Sequence, residues 1–345
     1  MRSNIRTNCG NCLYRATLAL TLFFDVSTYA RQQATTAPQT AAGRQVVVTV
    51  DDLPGAVPGT DKSPGKLKDL KSENLAIVRV LRKHNVPAIG FVIEKKLQVS
   101  GERDARAAIL EQWIDAGLEL GNHTYSHVNF ADTPLEEFED DTIRGDMVTR
   151  GLLSGKGETE RYFRHPALST GPTPEAKAAF EGFLKSRGYQ VAPVTVENAD
   201  YEFNDVLDDA RMHKDKQLAA KTKDEYLKHT QGMFLYVENA SKKLFNREIP
   251  QVLLIHDNEI NSELLDSLLT DLERKGYRFV SLADALSDPA YGSRDNFIGN
   301  LNSCYLCWMN RLVAAGQKPD ESDAPPKPPV WITQKFEEIR KAHSE

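Results

Sequence analysis

The sequence predicts an α/β fold, with a parallel sheet and its helices outside, most simply a barrel. Three observations lead there. From residue 44 onward, short apolar runs alternate with segments of helical periodicity. The strongest run, Gln45-Val46-Val47-Val48-Thr49-Val50, is rich in β-branched residues and reads as a buried strand. It ends on two adjacent carboxylates, Asp51 and Asp52, and parallel α/β folds build their sites at that end of their strands.

The remaining elements follow in order. A helix across 66–84 precedes a second strand, Ala88 to Ile93. A helix over 103–116 leads to the short strand Leu118 to Asn122. A charged helix over 134–151 precedes the short strand Arg161 to Arg164. Thr173-Pro174-Glu175 opens a helix with a capping hydroxyl and proline at the first helical position. Gln190 to Val196 reads as one strand. The polar helical stretch 206–246 is longer than a crossover needs and suits a helical insertion beside the site. Gln251 to Ile255 is a strongly apolar strand, followed by a helix over 260–275 and the short strand Arg278 to Val280. Residues 289–345 change character. An acidic, proline-rich piece at 320–329 precedes an amphipathic end, Trp331 to His343. This reads as a tail packed on the barrel.

The N-terminus has a different logic. Arg2, Arg6 and Arg15 precede the apolar run Ala16 to Phe24, and small residues follow up to Ala30. That is the pattern of a secretory signal over 1–30, and the apolar run is too short for an ordinary transmembrane helix. A small, polar linker at 31–43 then leads into a domain over 44–288. The expected location is therefore exported, periplasmic or extracellular, with no transmembrane span in the mature chain. The net charge of −6 gives no basic field for nucleic acid. Cys9/Cys12 and Cys304/Cys307 form two C-x2-C pairs. A shared structural zinc is rejected because the first pair lies in the signal. The second pair reads as packed thiols or a local staple.

The chemistry concentrates at strand ends. His123-Thr124-Tyr125-Ser126-His127 places two imidazoles four residues apart, after the third strand. One carboxylate with two imidazoles is a three-ligand set for a divalent cation that leaves a position open for water. The second carboxylate is then available as a base. Arg164-His165-Pro166, Asp200-Tyr201 and Leu254-Ile255-His256-Asp257 fall at or just past later strand ends, on the same rim. Taken singly, each motif has an ordinary structural explanation as a turn, an ion pair or a packed histidine. Their order along the chain is what singles them out.

That series resembles the polysaccharide deacetylases of the NodB-homology type, also called carbohydrate esterase family 4, over about 44–287. The resemblance implies a distorted (β/α) barrel with fewer than eight strands. It implies Asp51 as catalytic base, and Asp52, His123 and His127 as metal ligands. Arg164 would orient the base, and the backbone N–H of Ala167 would help hold an oxyanion. His256 would be the acid, with Leu254 lining the acyl pocket. Asp200 could serve either His256 or Arg164, and Tyr201 would contact substrate. Zinc is the first choice of cation for an Asp-His-His set, with cobalt or another divalent ion also fitting. The implied reaction is metal-dependent deacetylation of an N-acetylated glycan. Three positions depart from the family pattern: His165 for a proline, Ala167 for an aromatic, and Tyr201 for a tryptophan. They imply a smaller or differently shaped acyl pocket. Two other readings compete: a metal hydrolase of other amides or O-acetyl esters, and a catalytically inactive glycan-binding barrel. A pure binder needs neither Asp51 nor His256.

Overall fold

The central strand, β1 (Gln45–Leu53), carries the architecture. The computed structural model describes residues 43–56, 64–293 and 324–344, with Asp295, Ile298, Gly316 and Lys318 between the last two stretches. The signal pattern, nearly all of the linker and both cysteine pairs lie outside them. Strand β2 (Ile89–Val92) and strand β7 (Gln251–His256) flank β1, and both run parallel to it. Val47 pairs with Val252, Thr49 with Leu254 and Asp51 with His256.

Alternation along β1 sorts its side chains into two columns. Val46, Val48 and Val50 pack outward with Ile77 and Leu81 of helix α1 (Leu67–Lys83), Trp113 of α2 (Arg103–Asp115) and Leu269 of α8 (Glu259–Arg274). Val47 faces inward with Ile89, Phe91, Tyr162 and Val252. The inward column climbs from Val47 through Thr49 to Asp51. The barrel is therefore apolar below and polar at its C-terminal rim.

Outward from β2 the sheet continues through β3 (Glu119–Asn122), β4 (Tyr162–Phe163) and β5 (Gln190–Val191). On the other side β7 pairs with β6 (Val196–Glu197). Seven parallel strands thus form a curled, incomplete barrel. An eighth, β8 (Arg278–Phe279), pairs only with the start of β1.

The stretch 190–196 is not one strand. Its two halves pair at opposite ends of the sheet. Ala192 N–H still bonds to Phe163 of β4 at 2.8 Å, while Thr195 N–H bonds to Val252 of β7 at 2.9 Å. Three residues span at most about 11 Å, which is close to two strand spacings. The gap is the place of one absent strand, and Pro193 between them has no N–H to pair.

The charged helix expected over 134–151 is two helices, α3 (Leu135–Arg144) and α4 (Met147–Gly155). The break at Gly145 has a steric cause. A Cβ there would lie 2.4 Å from the Thr124 carbonyl carbon, so only glycine lets the histidine loop pass. Thr173 caps α5 (Pro174–Ser186) as its sequence suggested, its hydroxyl accepting from Ala176 N–H. The polar stretch also divides, into α6 (Asp200–Met212) and α7 (Lys216–Phe245), and Asp215 caps the second. Helix α9 (Leu282–Leu286) contributes Leu282 and Ala285 to the barrel's apolar floor. The last helix, α10 (Val330–Ser344), buries Ile332 and Ile339 against Phe203, Val206, Leu207 and Tyr226.

Gly121 on β3 sets the closeness of the barrel interior. An added Cβ would lie 2.6 Å from Phe91 Cε1 and 2.9 Å from the Tyr162 carbonyl oxygen. Gly121→Ala is expected to lower the unfolding free energy by about 1–3 kcal/mol through overpacking. Urea titration measures this, and an unchanged midpoint would show that the interior has slack.

Candidate active site

A bulge brings the two adjacent carboxylates together. Val50 pairs with Gly90 and Leu53 with Val92, so Asp51 and Asp52 together face one residue of β2. Regular alternation would send Asp52 outward, beneath the helices. Instead Asp52 adopts φ 71°, in the left-handed region, and its side chain turns back to the rim. His123 Nε2 then lies 3.8 Å from Asp51 Oδ2 and 3.4 Å from Asp52 Oδ1.

The histidines sit on the loop after β3. Thr124 (φ 64°) and His127 (φ 56°) are both left-handed, and this curl, rather than a helical repeat, makes the imidazoles converge. Their ring centroids are 4.9 Å apart. Helix α3 fixes the loop: Asp141 accepts from Ser126 N–H at 2.9 Å and from its hydroxyl at 2.8 Å. His123 Nδ1 donates to the Arg164 carbonyl at 2.8 Å, which leaves Nε2 to face the carboxylates.

These donors fit a divalent cation. Asp52 Oδ1 is buried, has no hydrogen-bond donor, and lies 3.4 and 3.5 Å from the two Nε2 atoms. One ligand atom from each of Asp52, His123 and His127 lies within 4.8 Å of the others. Among the described residues this is the one such cluster. A buried carboxylate oxygen between two imidazole nitrogens is well placed to share a cation with them.

Lys96 holds the other side of Asp52. Its Nζ lies 3.6 Å from Asp52 Oδ2 and donates to the Gly55 carbonyl at 2.8 Å. Burial alone would raise the Asp52 pKa, but Lys96, His127, His123 and His256 together hold it well below the usual carboxylate range. Arg164 is the partner of Asp51. Fully buried, it donates to Asp51 Oδ2 at 3.4 Å and to Thr49 Oγ1 at 3.0 Å, with its guanidinium over the Phe91 ring.

Asp200 serves His256. Asp200 Oδ1 is 2.6 Å from His256 Nδ1, and Oδ2 accepts the His256 backbone N–H at 2.7 Å. Asn258 and Asn261 also donate to Oδ2. The imidazole is thus fixed through Nδ1. Burial works against its charge, but Asp200, with Asp52 and Asp51 behind it, raises its pKa to about 10. In turn Asp200, despite burial, is held below its ordinary value chiefly by His256.

Asp52, His123, His127, Ala167, Tyr201, Leu254 and His256 all line one pocket. Asp51, Arg164 and Asp200 stand behind that lining, all buried. Ala167 (φ 51°) and Leu168 (φ 53°) form a left-handed turn against the pocket. His165 points elsewhere. It is buried among Phe130, Phe138, Phe163 and Phe180, and burial, with Lys177 nearby, pushes its pKa down to about 3. It belongs to the core.

Lys96 and Glu197 are among the site residues that escaped the sequence reading. Lys96 sits beside Lys95 in a charged tripeptide that gives no sign of which lysine is buried. Glu197 lines the pocket, and burial, with Asp200 adding to it, raises its pKa to about 7. It follows a valine in a strand of only two residues, too short to pattern.

A family model described as polysaccharide deacetylase matches residues 39–183. A peptidoglycan-N-acetylglucosamine deacetylase of Bacillus cereus is 23% identical over 214 residues, covering 61% of this chain and 80% of that protein. Among solved structures, a carbohydrate esterase family 4 pseudoenzyme from Bacillus anthracis superposes with TM-score 0.46 at 16% identity, covering 71% of this chain and 66% of that one. A family 4 carbohydrate esterase from Streptomyces lividans, in complex with acetate, gives TM-score 0.44 at 15% identity, covering 71% and 96%.

The Asp200–His256 pair has a direct test. A histidine with a raised pKa stays protonated until the pH climbs through that value, about 10 here. Asp200→Asn removes the carboxylate and should move the His256 midpoint down by about one to three pH units. NMR titration of the ring reads this. An unmoved midpoint would remove Asp200 as the cause.

Proposed function

We propose, from the match of residues 39–183 to a polysaccharide deacetylase family model and from the site geometry, that the chain is a metal-dependent N-deacetylase of N-acetylated glycans. The observation that carries this reading is the buried, undonated Asp52 Oδ1 facing His123 and His127 beside a second carboxylate. A single divalent cation, zinc by the donor set, would be held by Asp52, His123 and His127. When bound it would polarise an acyl carbonyl and acidify a water.

The chain's own residues do the rest. Asp51 is the base. Its Oδ2 accepts from Arg164, so Oδ1, which has no donor, is the atom that takes a proton from the attacking water. His256 is the acid. With Nδ1 held by Asp200, its Nε2 is the position from which a proton can pass to the leaving amine. Asp51 and His256 are register partners on adjacent strands, so base and acid stand side by side across the rim. The Ala167 N–H, in its left-handed turn at the pocket wall, would support the developing oxyanion. Leu254, packed with Leu168, offers an apolar surface for an acetyl methyl. The family match ends before Asp200 and His256, so their roles rest on geometry. By analogy with the Bacillus cereus relative, an N-acetylglucosamine unit of a cell-wall glycan is the first substrate to try.

Acetate release from a panel of N-acetylated and O-acetylated glycans is the test. Activity on the acetamides should vanish with a chelator and return with zinc. Asp51→Asn should retain metal while turnover falls about two to four orders of magnitude, whereas Asp52→Asn should lose metal. Equal metal loss in both variants would overturn this division of labour. Release from O-acetyl esters alone would overturn the amide reading.

We further propose export, from the N-terminal pattern of arginines, apolar run and small residues. N-terminal sequencing of native protein should find a start near Arg31. An intact Met1 would refute it.

A further inference from the structure

Helix α10 reaches the pocket from beyond the family match. Its buried Ile332 and Ile339 anchor it on α6, where Thr333 Oγ1 also donates to Glu202 at 2.8 Å. On the same side, Phe336 meets Tyr201 edge-on at 5.5 Å between centroids. Arg340 lies over Phe336, with Nε 3.9 Å from Asp205 Oδ2. Arg340, Asp205 and Tyr201 line the same pocket as Asp52, His127 and His256.

The guanidinium of Arg340 is 42% exposed, while the carboxylate of Asp205 is almost wholly buried. A planar donor, an acceptor and an aromatic ring converging on one wall are suited to a pyranose. Hydroxyls take both kinds of hydrogen bond, and the ring's C–H face packs on aromatic carbon.

We propose that Arg340, Asp205 and Tyr201 form a subsite for a neutral sugar unit adjoining the one that is deacetylated. Arg340 donates to its hydroxyls, Asp205 accepts from them, and Tyr201 lies against the ring. The unit is neutral because Asp205 and Glu197 share the wall with Arg340, and a carboxylate-bearing sugar would meet both. This rests on the deacetylase reading. It makes α10 a determinant of chain length, so binding of a monosaccharide at the metal should not depend on it.

Calorimetric titration tests the subsite in metal-loaded protein carrying Asp51→Asn, so that the glycan survives. The probes are N-acetylglucosamine and its β-1,4-linked tetramer. Adding Arg340→Ala should weaken the tetramer about tenfold, as expected for one lost hydrogen bond from a charged donor. The monosaccharide should change less than about twofold. Arg340→Lys should recover part of the loss, and the near-isosteric Asp205→Asn should also weaken the tetramer selectively. Unchanged tetramer affinity in a variant with an unchanged melting temperature would overturn the subsite. Equal losses for both sugars would do the same, by pointing to a disturbed metal pocket. If the parent protein released no acetate from any N-acetylated glycan, the deacetylase reading would fail and the subsite with it.

Discussion

The bulge in β1 is the constraint on which the site depends. Two consecutive residues of a regular strand point to opposite faces. Asp51 and Asp52 escape that rule because the register slips by one residue between Val50 and Leu53 and Asp52 takes a left-handed conformation. Without the slip, Asp52 would lie under α1 and α2 among Ile77, Leu110 and Trp113, an untenable place for a carboxylate. The strain is local, and the rest of β1 over-determines it through nearly continuous pairing to β7. Positive φ recurs at Thr124, His127, Ala167, Leu168 and Ala199, all around the same rim.

Charge compensation is the second organising constraint. Four carboxylates near the rim are buried, and each has its own partner. Asp52 has Lys96 and the imidazoles, Asp51 has Arg164, and Asp200 has His256 and two asparagine amides. Asp257, directly after His256, receives the Asn74 amide, itself bonded to Trp113. Burial nevertheless raises Asp257 to about 7, which sets it apart from Asp52 and Asp200. Partners of opposite charge hold Asp52 and Asp200 ionised, while an uncharged amide does not offset the burial of Asp257. Removing Lys96 or Arg164 would leave a buried charge unmatched, so these residues are as much part of the site as the groups that face substrate.

Much of this was legible in the chain. The β-branched run before Asp51 and the apolar run before His256 announced the two strands that carry these residues. Proline after Thr173 marked its helix start, and the structure begins α5 there. The weak signals failed where elements are short or where a contact from elsewhere intervenes. Two-residue strands at 190–191 and 196–197 leave no period to read, so they merged into one. Gly145 gave no hint that the histidine loop would press against it and divide a helix. Whether Asp200 served His256 or Arg164 was undecidable because both lie more than thirty residues away in sequence.

By itself the sequence determined the kinds of chemistry available and the strand ends that would carry them. Residue type and periodicity are local properties, and they survive without knowledge of the fold. Tertiary structure decided which groups share a charge, which face the cavity, and which distant segment completes the wall. Lys96, Glu197 and Arg340 entered only then. Their significance lies in distances between segments remote along the chain, and those distances are set by barrel curvature, by the bulge in β1 and by the docking of α10. No pattern along the chain encodes them, because long-range proximity follows from the packing of all the elements together.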